Sequence, residues 1–224
     1  MKKIVFLIFF MLLVFFLWDK SGIKIPASGK VFAKKTVILD PGHGLPDGGA
    51  VSHEGYSEEE INLKIAKKLE KHLKKAGIKV ILTRSGNNSL SDSKTNNKRD
   101  DLNKRVEIIN SSNANLLVSI HLNHFSEPKY HGAQIFYSKH NDENQRLASN
   151  LKTNIVKLLD PENNREIKET ADIFILKNTK IPACLAECGF LSNPEEAEKL
   201  NTDEYQEKVA WALYCGICDF LQGY

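Results

Sequence analysis

Apolar residues in this chain follow two kinds of spacing. Runs of consecutive apolar and β-branched residues, which are typical of buried strands, occur at 36–39, 78–83, 115–123, 132–138 and 183–190. Between and after these runs, apolar residues recur every three or four positions, as they do in amphipathic helices. Besides the two helices described below, this spacing predicts helices over 142–159 and 203–221, and a short helix is predicted to start at 192–194. This alternation predicts a single α/β domain with a mixed, mostly parallel sheet of about six strands and helices on both faces.

The best-defined helix begins at Ser57 and ends before Gly77, since glycine is typical of the position that follows a helix. Ser57 and Glu60 match a capping box, in which each side chain accepts from the backbone N–H of the other residue. The core-facing stripe is predicted to consist of aliphatic residues at a spacing of four: Ile61, Ile65, Leu69 and Leu73.

A second helix is predicted to open at Asp101. Its core-facing residues are expected to be Leu102, Val106 and Ile109. Arg105 lies beside this stripe. We favour a structural ion pair for it, and it is also a candidate substrate contact.

Two histidines occur where predicted strands end. The strand at 36–39 is followed by His43 between two glycines, and His121 lies near the end of the strand at 115–123. Parallel strands end at a common edge of the sheet, where α/β proteins bind ligands, so we expect both histidines at that edge. Asn123 shares the strand face of His121 and is a candidate substrate contact.

Two carboxylates would complete a zinc site. Glu187 interrupts the apolar run at 183–190, where a buried carboxylate requires a partner, and a structural ion pair is the alternative role. Glu58 is the first residue of the helix after Ser57, where the macrodipole favours its ionised form, although it could be a simple N-terminal charge. Two histidines and one carboxylate can hold zinc with a position open to water, and a further glutamate can act as the base.

The N-terminal residues differ from the rest of the chain. Two lysines precede an uninterrupted apolar run at 4–18, which is shorter than the roughly 20 residues of a typical membrane span. We interpret residues 1–29 as an uncleaved membrane anchor with a linker, and residues 30–224 as one folded domain. A signal peptide cleaved near Ala27-Ser28-Gly29 is the alternative. Either interpretation places the domain outside the cytoplasm, anchored to the membrane or secreted.

Composition limits the possible functions. The chain has 224 residues, of which 42% are hydrophobic and 26% charged, as in globular domains, and its net charge of +3 is too small to indicate binding to nucleic acid. Four cysteines could be free, disulfide-bonded or ligands of a second metal, and we interpret them as buried thiols between the sheet and a helix. They are Cys184, Cys188, Cys215 and Cys218.

The motifs of the chain, taken in order, resemble those of the zinc-dependent N-acetylmuramoyl-L-alanine amidases of bacteria. They are VILDPGHG, LPDGGAV, SEEEINLKIA, ILTR, VSIHLN, GAQIFYS, AECGFLSNPEEAEKL and YQEKVAWALYCGI. The resemblance extends from Val37 to Leu221. It is strongest to the sporulation and germination-specific branch, in which one hydrophobic N-terminal segment leads directly into the catalytic domain.

The resemblance implies one zinc ion per chain, held by His43, Glu58 and His121, with Glu187 as the catalytic glutamate. The family usually has Glu-Lys-Asp where this chain has Glu58-Glu59-Glu60. Ile61-Asn62-Leu63 aligns Glu58 with the ligand position, and Glu59 is the alternative.

The resemblance also implies a substrate, which is the amide between the lactyl group of N-acetylmuramic acid and L-alanine. In the sporulation branch, cleavage of this bond removes stem peptides from cortex peptidoglycan and leads toward muramic lactam. The expected partners are peptidoglycan, the membrane through residues 4–18, and an accessory wall or sporulation protein. A zinc peptidase or carboxypeptidase acting on wall peptides, and a wall-binding protein with a degenerate site, are the alternative functions.

Overall fold

A computed structural model describes residues 32–91 and 97–223 of the chain. The strands are β1 (Thr36–Pro41), β2 (Lys79–Leu82), β3 (Leu116–Asn123), β4 (Gln134–Tyr137), β5 (Lys168–Glu169) and β6 (Ala183–Phe190). The helices are α1 (Glu58–Lys75), α2 (Lys98–Ser111), α3 (Glu143–Leu158), α4 (Phe174–Asn178), α5 (Pro194–Leu200) and α6 (Asp203–Gln222). The sequence patterns predict all of these elements except β5 and α4.

The strands form one six-stranded sheet in the order β2-β1-β3-β6-β4-β5. Every adjacent pair is parallel except β4 and β6, which are antiparallel. The predicted mixed, mostly parallel sheet is therefore confirmed. Because β1, β3 and β6 are parallel neighbours, their carboxyl ends lie together at one edge of the sheet.

The hydrophobic core has a larger and a smaller part on the two faces of the sheet. The larger part joins the sheet to aliphatic residues of α1, α3 and α6, including Leu69, Leu151 and Leu213. The smaller part contains Ile109 of α2 and Ile175 of α4. Successive strand residues point to opposite faces, which is why helices cover both sides, as predicted.

The buried faces of α1 and α2 match the sequence predictions to different degrees. The stripe of α1 is buried as expected. In α2 the buried residues are Asp101, Arg105 and Ile109. The predicted core-facing stripe is therefore confirmed at Ile109, whereas Val106 packs only partly buried against the smaller core and Leu102 is half-buried. Helix α2 also begins earlier than predicted, at Lys98.

The predicted capping box at the start of α1 is wrong as well. Ser57 is the N-cap residue, but its side chain makes no capping hydrogen bond. Glu60 instead pairs with Lys64, one turn further along the helix, at 2.7 Å. An exposed glutamate can reach a lysine four residues on, and this pairing competes with the capping geometry.

The cysteines are free thiols. Cys184, Cys188 and Cys218 are buried in the larger core, as the sequence predicts, and Cys215 is half-buried.

The predicted anchor at residues 4–18 lies outside the described residues. Within residues 32–91 and 97–223, no helix combines the length and the apolar character needed to cross a membrane.

Candidate metal centre

His43 lies in the tight loop that follows β1. Its backbone has a φ of 59°, which is uncommon for a residue with a side chain. The flanking backbone is held from both sides, since Gly42 N–H donates to the carbonyl of Ile120 at 2.9 Å and Gly44 N–H donates to that of Asp47 at 3.0 Å. The loop thus presents the imidazole from a fixed position at the edge of the sheet.

Glu58 is buried at the first position of α1, directly opposite the histidine loop. Its carboxylate accepts hydrogen bonds from Ala50 N–H at 2.9 Å, Leu122 N–H at 3.1 Å and the side-chain amide of Asn62 at 3.3 Å. Burial opposes ionisation of this carboxyl, but hydrogen bonds and charge from His121 and His43 outweigh it and lower its pKa far below the usual range. Glu58 is therefore ionised, as a metal-binding carboxylate must be.

Both histidines face this carboxylate. His43 Nε2 lies 3.3 Å from Glu58 Oε2, and His121 Nδ1 lies 3.0 Å from Glu58 Oε1. The two rings meet edge to face, with their centroids 5.1 Å apart. One ligand atom from each of the three side chains lies within 4.8 Å of the other two. The fold therefore brings together the three residues that the sequence nominates as metal ligands.

Two glycines leave room for this cluster. A Cβ at Gly42 would lie 2.2 Å from His121 Cε1, and a Cβ at Gly49 would lie 2.5 Å from Glu58 Oε2. Real side chains do not tolerate such distances, so the glycines permit the imidazole and the carboxylate to sit against the backbone. Two imidazole nitrogens and one carboxylate oxygen in such a cradle fit a zinc-type cation with a position left open.

Asp47 was not anticipated from the sequence. Its carboxylate lies 3.2 Å from His43 Nδ1, on the side of the ring away from Glu58. A carboxylate on the second nitrogen fixes the tautomer and orientation of a metal-binding histidine. The sequence signal that could have identified it is an acid four residues after the histidine, within the same glycine-rich turn.

Glu187 lies beside the cluster on the neighbouring strand. It pairs in register with His121 across β3 and β6. Its Oε2 atom is buried and has no hydrogen-bond partner among the described residues. Burial raises the pKa of Glu187 to about 7, against the opposing influence of His121. A buried carboxyl that titrates near neutrality beside a donor cluster is chemically suited to exchange protons.

Arg105, a candidate substrate contact from the sequence, is almost completely buried. Its guanidinium pairs with Asp40 and with Asp101, both at 2.7 Å. The structural ion pair is therefore present, and contact of Arg105 with substrate stays a prediction. The sequence feature that indicates this ion pair is Asp101, an acid four residues before Arg105 on the same helix.

The remaining candidates lie apart from the three-residue cluster. Asn123, at the end of β3, is half-buried, and its side-chain oxygen accepts from the backbone N–H of His124 at 2.8 Å. Its contact with substrate stays a prediction. The carboxylate of Glu59 turns away toward Arg84, at 4.0 Å, rather than toward the histidines.

Comparison with known proteins places this arrangement among peptidoglycan amidases. The N-acetylmuramoyl-L-alanine amidase family model matches residues 37–219. The germination-specific N-acetylmuramoyl-L-alanine amidase of Bacillus subtilis (strain 168) is 38% identical over 201 residues, which cover 88% of this chain and 82% of that protein. AmiA of Escherichia coli (strain K12) is 28% identical over 244 residues, covering 90% of this chain and 81% of AmiA.

A solved structure with the same fold is that of the CwlD amidase from Clostridioides difficile in complex with the GerS lipoprotein. It superimposes with a TM-score of 0.81 at 44% sequence identity, and the match covers 84% of this chain and 98% of that chain.

Proposed function

This chain belongs to the N-acetylmuramoyl-L-alanine amidase family, and from that membership we propose how its residues perform the reaction and where it takes place. The enzyme hydrolyses the amide between N-acetylmuramic acid and L-alanine in peptidoglycan. We assign zinc binding to His43, Glu58 and His121, and proton transfer to Glu187. One observation carries this assignment. The cluster of His43, Glu58 and His121 lies beside Glu187 on the adjacent strand, whose buried Oε2 atom has no hydrogen-bond partner among the described residues.

The chain's own residues divide the work between holding the metal and moving the proton. Zinc bound at the cluster would supply Lewis-acid chemistry, which polarises an amide carbonyl and makes a water molecule more acidic. Asp47 keeps His43 Nδ1 occupied, so that Nε2 remains free to bind the metal. Glu187 accepts a proton from the attacking water at its unpartnered oxygen and donates it to the leaving amine nitrogen of L-alanine.

The decisive experiment compares neighbouring carboxylates. Glu187→Gln should retain zinc and the fold but lose activity by about 10² to 10⁴-fold, because an amide cannot accept the proton. Glu58→Gln should lose tightly bound zinc, as should His43→Ala and His121→Ala, because three ligands are needed to fix the metal. Glu59→Gln is the matched control on the same helix turn and should keep both zinc and activity.

Zinc content and the products from intact peptidoglycan are both measured on these variants. Release of a free lactyl carboxyl identifies the amidase reaction, whereas new peptide termini would identify a peptidase instead. If Glu58→Gln retained zinc and Glu59→Gln lost it, the ligand would be Glu59. If Glu187→Gln released zinc, Glu187 would be a ligand rather than the proton carrier.

We further propose that the substrate is the peptidoglycan of the spore cortex. The germination-specific enzyme of Bacillus subtilis supports this assignment, since it is 38% identical to this chain. Deletion of the gene in a sporulating host should leave cortex muropeptides without muramic lactam and block germination. An unchanged cortex composition would contradict the proposal.

The proposed location is outside the cytoplasm, with residues 1–29 as anchor and linker and residues 30–224 as the catalytic domain. The apolar run at 4–18, preceded by two lysines, supports it. Membrane fractionation with N-terminal sequencing distinguishes the alternatives. A soluble protein that begins near residue 28 would show a cleaved signal peptide in place of the anchor.

We also propose an accessory protein partner, because the CwlD amidase of Clostridioides difficile is known in complex with the GerS lipoprotein. Affinity purification of the full-length chain from sporulating cells should recover a lipoprotein in a defined ratio. Recovery of the amidase alone, under conditions that preserve such complexes, would contradict it.

A further inference from the structure

Two buried arginines lie beneath the loop that carries His43. Arg84 follows β2, and its side chain is buried. Its Nε donates to the carbonyl of Pro41 at 2.9 Å, and one terminal nitrogen donates to the carbonyls of Gly42 at 2.9 Å and Glu59 at 2.7 Å. One guanidinium thus links the histidine loop to the backbone beside Glu58.

Arg105 approaches the same loop from α2. One terminal nitrogen donates to the carbonyl of Pro41 at 2.8 Å, and the other donates to the carbonyl of His43. Together the two arginines bind three consecutive carbonyls, those of residues 41, 42 and 43. These carbonyls lie at and just beyond the end of β1, and the two guanidinium groups supply hydrogen-bond donors to all three.

Acidic and hydroxyl side chains fix the position of Arg105. Asp40 and Asp101 each pair with it at 2.7 Å. Asp40 in turn accepts from the hydroxyl groups of Ser119 and Thr83, both at 2.6 Å. Burial disfavours the charge on Asp40, but Arg105 and these hydroxyls outweigh it and lower the pKa of the carboxyl. The loop therefore rests on a connected polar layer.

Among the residues that the structure describes, Arg84 has no comparably close carboxylate, since Glu59 is 4.0 Å away. Burial and the neighbouring charge of Arg105 lower the pKa of Arg84 to about 10, which leaves it protonated at neutral pH. Two like charges buried side by side are unfavourable for the fold. What Arg84 and Arg105 share is that both donate to the backbone carbonyls of residues 41–43.

His43 shows what these hydrogen bonds accomplish. Its φ of 59° is a conformation that side chains rarely adopt unless the surroundings impose it. With its carbonyl held by Arg105 and the preceding one by Arg84, the residue cannot relax to a negative φ without breaking buried hydrogen bonds. Its Nε2 consequently stays directed at Glu58.

We propose that Arg84 and Arg105 are positioning residues that hold the backbone of residues 41–43 so that His43 presents Nε2 to the metal. This inference rests on the proposed zinc role of His43. A lysine cannot replace either arginine, because a single ammonium does not reach carbonyls in the several directions of a guanidinium fork.

The test is Arg84→Lys in the full-length protein, with Arg146→Lys as the matched control. Arg146 also donates to a backbone carbonyl, that of Phe220 at 3.1 Å, but it joins α3 to α6. We expect Arg84→Lys to weaken zinc binding by about 10 to 100-fold, as the loss of an outer-shell partner does, measured by competition with a chromogenic chelator. The visible spectrum of the cobalt-substituted protein should change in Arg84→Lys and not in Arg146→Lys.

Thermal stability is measured on the same samples without metal. A lower melting temperature with unchanged zinc affinity and cobalt spectrum would show that Arg84 is only structural and would overturn the proposal. If Arg84→Lys does not fold, Arg105→Lys, which retains a cation for Asp40 and Asp101, decides by the same measurements. Failure of the wild-type protein to bind zinc would overturn the proposed metal centre itself, which is a different result from equal binding by wild type and variant.

Discussion

Helices α1 and α2 lie against opposite faces of the sheet and bury opposite kinds of side chain. Over most of its length α1 buries aliphatic residues spaced by four: Ile61, Ile65, Leu69 and Leu73. At the same spacing α2 buries Asp101, Arg105 and Ile109. Helical periodicity is present in both, but only in α1 is it a hydrophobic periodicity. The buried face of a helix can thus be set by backbone groups that need charged donors.

The surroundings of the two helices explain this difference. The stripe of α1 belongs to the larger core, where transfer of apolar surface from water provides the stabilisation. The stripe of α2 meets the loop at residues 41–43, whose carbonyls accept from Arg105. We therefore expect substitutions in the apolar stripe of α1 to affect the fold alone, and substitutions in the buried polar stripe of α2 to affect both the fold and the metal centre.

The largest expected effect follows from removing the charge at the centre of the α2 stripe. Arg105→Met leaves Asp40 and Asp101 buried without their cation, which should lower the free energy of unfolding by about 3–5 kcal/mol. Urea denaturation of the metal-free protein measures this loss. Zinc affinity should fall as well, since the carbonyl of His43 loses its donor.

The control for this variant is Arg99→Ala in the first turn of the same helix. Arg99 is exposed and lies over the ring of Phe174, with its guanidinium carbon 4.1 Å from the ring centroid. Its removal should cost at most about 1 kcal/mol, the scale of an exposed cation–π contact. If Arg105→Met cost no more than this control, the buried ions would not be what holds α2.

A second prediction sharpens the comparison from the side of α1. Leu69 is fully buried in the larger core, so Leu69→Ala should lower the free energy of unfolding by about 2–5 kcal/mol through lost burial and the cavity left behind. Zinc affinity of the folded variant should equal that of the wild type, by the same chelator competition. If Leu69→Ala also lowered zinc affinity, packing in the larger core would affect the metal centre, and the contrast between α1 and α2 would be wrong.

The sequence predicts the fold where burial is apolar. Strands β1, β3 and β6 are mostly apolar along their length, and α1 has a regular stripe, so pattern and structure agree. Strand β5 has two exposed charged residues and is a strand only because it pairs with Phe136 and Tyr137. Helix α4 is five residues long, which is too short for a periodic signal.

In the candidate site, the sequence predicts the metal-binding residues but not the residues that support them. The ends of β1 and β3 and the start of α1 indicated that His43, His121 and Glu58 would converge, and the structure confirms that convergence. The supporting residues Arg84 and Asp47 were not found, because their partners are backbone carbonyls and a ring nitrogen that only the folded loop brings near. Spacing along the chain carries no record of the contacts of Arg84, and for Asp47 it offers only an acid four residues after the histidine.

The smallest expected effect distinguishes the two helices at their N-termini. The side chain of Asn97 caps α2 by accepting from Arg99 N–H at 2.9 Å, so Asn97→Ala should lower the free energy of unfolding by about 1 kcal/mol. Ser57 occupies the same position in α1 but makes no capping bond, and Ser57→Ala should change stability by less than about 0.5 kcal/mol. Both are measured by urea denaturation of the metal-free protein.

This pair of variants tests why α1 can begin without a cap. Its first turn is already held by tertiary contacts, since Glu58 N–H donates to the carbonyl of Ala50 at 2.9 Å and Glu59 N–H donates to that of Gly48 at 3.1 Å. Both bonds satisfy N–H groups that have no partner within the helix, and the one from Glu59 serves a donor that a capping side chain would otherwise bind. A loss for Ser57→Ala as large as that for Asn97→Ala would show that the loop before α1 does not hold the helix start. Equal and negligible losses would instead show that α2, too, is fixed at its start by tertiary contacts, through the buried Asp101 and Arg105.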